Sequence, residues 1–210
     1  MGIITGIEKI RHTIVLSLDN RQFARMNEDE LASLGFALGG DVDEDELADR
    51  LCALQFKRAL EAALNALERR DLTREGMRRL LEQKDFYGGA VDTALDRLTE
   101  GGLIDDRRFA ERFVELNKGG VRSKRALRDK LYVKGVPRDI IDEALSEIDD
   151  DEQLGAAVQL AREFARRHEG KPEREVRAKV GQALARRGFS WDDVSSALER
   201  VLGDGEDFED

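Results

Sequence analysis

Three stretches of this chain share one register, and that repetition limits the fold more than any other feature. Aligning Lys84-Asp85-Phe86, Lys134-Gly135-Val136 and Arg187-Gly188-Phe189, at offsets of 50 and then 53 residues, superposes the apolar positions without a gap. Met77, Leu127 and Val180 coincide, as do Leu81, Leu131 and Leu184. Downstream come Val91, Ile141 and Val194, then the Ala-Leu pairs at 94, 144 and 197, then Leu98, Ile148 and Val201. Self-similarity of this period marks an array of supersecondary units. Each unit is predicted to hold three helices: a leader, a second opening after Thr73, Ser123 or Pro172, and a third opening near Tyr87, Pro137 or Ser190. The expected fold class is therefore mainly α, three tandem three-helix repeats with a small β-rich N-terminal unit. A unit of about 50 residues is marginal alone, so neighbours are expected to pack into an elongated, bent array.

The head reads differently. Gly2 to Ile10, Thr13 to Leu18 and Arg21 to Met26 have strand character, with Asp19-Asn20 as a turn. Asn27 caps a short helix through Leu34, and Gly35 ends it. From Asp43 a long helix is predicted to about Arg70, its apolar stripe running from Leu47 to Leu67. The expected division is 1–50 for the β-rich unit, 51–101, 102–149 and 150–203 for the repeats, and 204–210 as an acidic disordered tail.

Charge is segregated along the chain. The total is −10, with 45 acidic residues against 35 basic ones, and residues 1–50 carry −6. Between Arg107 and Arg138, eleven Lys and Arg face only Glu111, Glu115 and Asp129, a local +8. Such a surplus matters for partners more than the sum does. The same stretch starts at Gly101-Gly102, where the preceding helix stops and Asp105 or Asp106 can cap the next. Phe109, Phe113 and Leu116 are expected to share one buried stripe.

Catalytic arrangements are missing from the pattern. One cysteine, Cys52, and two separated histidines, His12 and His168, supply neither a disulfide framework nor a zinc site. The paired glycines read as turns, not as a phosphate-cradling loop. Asp105-Asp106 point apart at a helix start and suit capping better than a metal. The chain is read as a non-enzyme with no cofactor. No apolar run approaches the ~20 residues of a membrane helix, and Glu8, Lys9 and Arg11 break any leader, so a cytoplasmic protein without a membrane partner is expected. No heptad or large apolar patch demands a dimer, and a monomer is expected.

What remains is binding through charge. The second helices are basic and the third helices acidic. Arg74, Arg78, Arg122, Lys124, Arg125, Arg128, Lys130, Arg174 and Arg177 are the candidate contacts, and Arg74, Lys124 and Arg177 share one aligned position. The competing reading is pairing between the second and third helices of each unit. Because exposed pairs are worth only ~0–1 kcal/mol, stability alone is a weak reason for the segregation. A helix-turn-helix with Pro137 to Ile148 as recognition helix fails on charge, since Asp139, Asp142, Glu143 and Glu147 would face phosphates. Trp191 and Phe208 could be taken for base-stacking residues, but Trp191, two residues after Phe189, is expected to pack at the start of the last helix, and Phe208 has no assigned role.

The run Leu103-Ile104-Asp105-Asp106-Arg107-Arg108-Phe109-Ala110-Glu111, then Arg122-Ser123-Lys124-Arg125 and Leu131 to Val136, resembles the RecX regulators of the RecA recombinase. The likeness covers the three repeats, roughly residues 58–202, and departs at Gly76 and at Gly181, the latter equivalent to Arg128. It implies a non-enzymatic modulator that binds the RecA–DNA filament, lies in or along its groove, lowers ATPase and strand-exchange activity, and has weaker affinity for single- and double-stranded DNA. The second reading is a general helical DNA-binding protein without a recombinase partner, and a scaffold with no DNA role is the third.

Overall fold

The computed structural model describes residues 1–118 and 122–203 and divides into two compact units, Met1–Asp105 and Asp106–Asp210. The expectations for the Gly119-Gly120 turn and for the 204–210 tail lie outside the described residues.

In the first unit, strands β1 (Gly2–Ile10), β2 (Thr13–Leu18) and β3 (Arg21–Met26) form an antiparallel meander. Asp19 and Asn20 turn the β2–β3 hairpin with φ of 47° and 62°, the left-handed pair that a tight hairpin needs. A fourth strand, β4 (Asp41–Val42), pairs with Gly2 and Ile3 at the far edge; two residues have no periodicity by which to be read in advance. Helix α1 (Glu28–Leu34) carries a capping box, Asn27 with Glu30, and stops at Gly35 with φ +70°.

Helix α2 (Glu44–Leu67) ends three residues before the predicted Arg70 and serves two cores. Leu47 and Leu51 pack with Ile4, Leu16, Leu18 and Met26 against the sheet. Ala63, further along, packs with Met77, Leu81, Val91, Leu95 and Leu98 from helices α3 (Arg74–Glu82) and α4 (Gly88–Glu100). The expected boundary between residues 50 and 51 thus falls inside α2. Buried Gln55 ties the two halves together: its Nε2 donates to the Arg25 carbonyl and to Glu30 Oε2, each at 3.0 Å, and its Oε1 accepts from the Tyr87 N–H at 2.6 Å.

The second unit holds two three-helix sets, α5 (Asp106–Lys118), α6 (Lys124–Val133) and α7 (Arg138–Ser146), then α8 (Asp150–Arg167), α9 (Glu173–Arg186) and α10 (Trp191–Leu202). The aligned apolar positions are interior ones: Leu81, Leu131 and Leu184 are fully buried, as are Met77, Leu127 and Val180 to within 1 %. The anchor triplets are chain reversals. Asp85, Gly135 and Gly188 take φ of 64°, 83° and 81°, and the next residue's N–H returns to the carbonyl of Leu81, Leu131 or Leu184. This is the left-handed stop that ends a helix and folds an apolar residue back onto it.

Two expectations of burial are corrected. Leu116 is 75 % exposed, because the buried face of α5 is centred on Ala110 and Val114, with Phe109 and Phe113 at its margin and Leu116 beyond it. Trp191 is 82 % exposed. It is the first residue of α10, whose inward face is set by Val194 and Ala197, and it stands off that face. Helix α9 also opens one turn before the position aligned with Arg74 and Lys124, so Arg177 lies inside a helix where its counterparts begin one.

Candidate nucleic-acid interface

The nine candidate cations divide by what holds them. Arg74 pairs with Asp96 at 2.5 Å and donates to Thr99 Oγ1, while Arg78 pairs with Asp92 at 2.6 Å. Arg128 reaches Asp142 at 2.9 Å, and Lys124 reaches Asp150 at 3.2 Å. Arg177 lies 3.5 Å from Glu173 and donates to the Gly203 carbonyl. In the first two repeats part of the charge split between second and third helices is therefore answered by pairing within the unit. Its hydrogen bond to Asp92 pushes the Arg78 guanidinium above its ordinary value, partial burial acting the other way. These pairs are mostly exposed, so each is worth about 0–1 kcal/mol and a denser anion can compete for either cation.

Arg122, Arg125, Lys130 and Arg174 have no acidic partner within ion-pair distance among the described residues. Three of them meet in one place. Arg122, Arg125, Asp129 and Lys130, on and just before α6, face Ala185, Arg186, Arg187 and Gly188 at the end of α9 across a cleft of about 490 Å³. Five cations line it against one carboxylate. Lys130 is held below its ordinary lysine value, first by loss of water and then by repulsion from Arg122 and Lys134. Crowded like charges of this kind are relieved by an anion.

The cleft is built by a close junction. Ser123, fully buried, accepts from the Ala126 N–H at 3.1 Å as N-cap of α6 and donates to the Arg187 carbonyl at 2.6 Å. Gln153 of α8 accepts from the Lys124 N–H and donates to Asp193. Gly188 needs its small size here, since a Cβ would stand 2.9 Å from Ser123 Oγ. The far wall is fixed as Arg187 packs over Phe164, 4.8 Å from the ring centroid, and donates to the Ala183 carbonyl. Arg122 is oriented by a hydrogen bond to Asn117 Oδ1 at 2.8 Å.

Arg186 and Arg187 were not among the predicted contacts. Arg187 was visible as an alignment anchor, but its role as a cleft wall depends on the Ser123–Arg187 junction, which joins residues 64 apart. The cleft offers guanidinium and ammonium donors and, in Asp129, one carboxylate. Among the described residues no group of three or more His, Cys, Asp or Glu is placed to hold a metal ion, and no helix is long and apolar enough to cross a membrane.

The helices that build this cleft are those that comparison picks out. Residues 105–145 match the family model of the RecX second three-helix domain, and residues 150–198 match that of the RecX third three-helix domain. The chain belongs to the RecX family. It is 27% identical over 209 residues to regulatory protein RecX of Clostridioides difficile strain 630, covering 96% of this chain and 97% of that one. Against regulatory protein RecX of Streptococcus sanguinis strain SK36 the identity is 28% over 200 residues, covering 94% and 76%. A crystal structure of regulatory protein RecX superposes with TM-score 0.65 at 27% identity, covering 96% of this chain and 99% of the other. That of RecX from Lactobacillus salivarius gives 0.66 at 25% identity, covering 71% and 98%. These RecX relatives are regulatory proteins by name, and a regulatory role is what membership supports.

Proposed function

We propose that this RecX family protein regulates the RecA recombinase in the cytoplasm by binding RecA–DNA filaments, most simply as a monomer, and that it lowers their ATPase and strand-exchange activity. The observation that carries this reading is the cleft of Arg122, Arg125, Lys130, Arg186 and Arg187, a concentrated cationic site in a chain of net charge −10. Phosphodiester oxygens entering it would find guanidinium forks on both walls. Each phosphate neutralised releases condensed counterions, so binding is expected to be strongly salt-dependent and largely indifferent to base sequence. Isolated single- and double-stranded DNA would be held by the same cleft, less tightly than the filament, where protein surface adds contacts. The negative remainder of the protein disfavours indiscriminate coating of DNA and favours a partner with complementary basic surface.

The regulatory reading predicts that DNA-dependent ATP hydrolysis by the cognate RecA falls at protein levels well below one per RecA subunit. Arg125→Glu with Arg186→Glu should abolish that suppression at equal protein concentration. Suppression appearing only when the DNA is fully covered would instead support a general DNA-binding protein that competes for the lattice.

A further inference from the structure

The α9–α10 pair differs from its two counterparts in one surface detail. In the first repeat, Arg78 of α3 and Asp92 of α4 bridge the second and third helices at 2.6 Å. In the second, Arg128 of α6 and Asp142 of α7 make the same bridge at 2.9 Å. At the aligned positions the third repeat has Gly181 and Ser195, so this bridge is gone. The groove between these helices, about 340 Å³ in the second repeat where Arg128, Arg138 and Asp142 line it, is about 540 Å³ here, floored by Ala178, Gly181, Val194 and Leu198 and rimmed by Arg174, Arg177 and Trp191.

Packing does not demand that glycine. A Cβ at Gly181 would lie 3.5 Å from Leu198 Cδ1 and 3.8 Å from Val194 Cγ1, ordinary contact distances. A glycine inside a helix costs roughly 0.5–1 kcal/mol relative to alanine, yet none is needed here for clearance. Its effect is to leave the groove wider and unbridged. Trp191, aligned with Gly88 and Arg138, leaves most of its ring in solvent at the groove's edge. Arg174 arrives on the extra first turn of α9, is exposed, and has no acidic partner among the described residues.

We infer that this groove is a subsite for single-stranded nucleic acid, in which a base stacks on Trp191 over the apolar floor while Arg174 and Arg177 hold the adjoining phosphates. The inference rests on the nucleic-acid reading proposed above. A flat apolar surface beside cations matches a nucleotide, whose base and phosphate alternate along the strand. The groove has the volume of a small-ligand pocket, roughly 300–1,000 Å³, whereas a protein partner usually buries about 800 Å² on each side. A duplex keeps its bases stacked on one another and cannot present them to the ring.

Trp191 is the only tryptophan, so its emission reports this groove alone. The full-length protein is titrated with fluorophore-labelled oligo(dT), an abasic oligomer of the same length and a blunt duplex, following both Trp emission and label anisotropy. Oligo(dT) should quench Trp191 in step with the anisotropy rise, whereas the abasic strand and the duplex should bind without quenching. Trp191→Ala should weaken oligo(dT) binding about tenfold and leave duplex binding unchanged, while Trp191→Phe should retain most of the affinity. Gly181→Leu, which fills the groove, should remove the quenching. Binding of oligo(dT) with unaltered emission, equal quenching by the abasic strand, or quenching only by an acidic peptide would overturn the inference while leaving the cleft intact. No binding of any strand at low salt would overturn both readings.

Discussion

The α6–α7 and α9–α10 pairs are the same device finished in two ways. Both bury a leucine at the aligned position, both reverse through a left-handed glycine, and both carry an arginine near the start of the second helix. The first spans its outer groove, about 340 Å³, with an Arg128–Asp142 bridge, and the second leaves a wider, unbridged groove of about 540 Å³ beside Trp191. The difference teaches that interior and exterior are set separately. The interior repeats because each three-helix set must bury the same stripe, whereas the exterior varies because exposed ion pairs contribute little to stability. Charge that looks functional in sequence can be tied into an ion pair in one repeat and be missing from the aligned positions in the next.

The comparison can be broken at the core. Leu131→Ala and Leu184→Ala each remove a fully buried side chain and should destabilise by about 3 kcal/mol in urea unfolding. A loss below about 1 kcal/mol at either would mean that the two positions are not equivalent. The reversals give the next effect. Gly188→Ala forces a left-handed alanine, at roughly 1–2 kcal/mol, and brings its Cβ against Ser123 Oγ, so a loss of about 2 kcal/mol or more is expected by thermal unfolding. Asp85 already takes that conformation without being glycine, and Asp85→Gly should stay within about 1 kcal/mol of wild type, relief of φ offsetting the lost Arg25 pair.

Smaller still is the effect of exchanging the exteriors. Gly181→Arg with Ser195→Asp installs the bridge of the other repeats on α9–α10, and stability should move by no more than about 1 kcal/mol. A large gain would show that such bridges matter more to the fold than exposed pairs usually do. The least effect belongs to the extra first turn of α9, where Glu175 sits between Lys179 and Lys171. Hydrogen bonds from Lys179, then Lys171, lower its carboxyl from 4.5 to about 2. A depressed carboxylate contributes stability that is complete above its unfolded value and is lost as pH falls from about 4.5 through 2. An NMR titration should find the Glu175 midpoint near 2 in wild type and higher in Lys179→Ala.

The helices, their caps and the repeat register were legible in sequence because periodicity, capping and punctuation are local. Thr73 and Ser123 stand at the N-caps expected of them, the third helices open directly after Tyr87, Pro137 and Ser190, and Pro172, expected in a first helical turn, is instead the residue before it. Gln55 was not legible, since a polar residue on an apolar stripe reads as an interruption until the Arg25, Glu30 and Tyr87 partners are brought to it. Trp191 was misplaced for a related reason. Its place two residues after the core Phe189 argued for packing, but the phase of α10 turns its first residue outward. The cleft was half legible: Arg122, Arg125 and Lys130 sit in the charged run, whereas Arg186 and Arg187 join them only through the Ser123 junction.

The claim on which the rest depends is that the α6–α9 cleft takes phosphate. Its most direct test is the salt dependence of binding to single-stranded DNA, comparing wild type with Arg125→Glu, Arg186→Glu. With about five cations of the cleft engaged, log K against log salt should fall with a slope of roughly −3 to −4, and the double variant should bind weakly with a markedly shallower slope. Equal affinities and equal slopes for the two proteins would contradict the account.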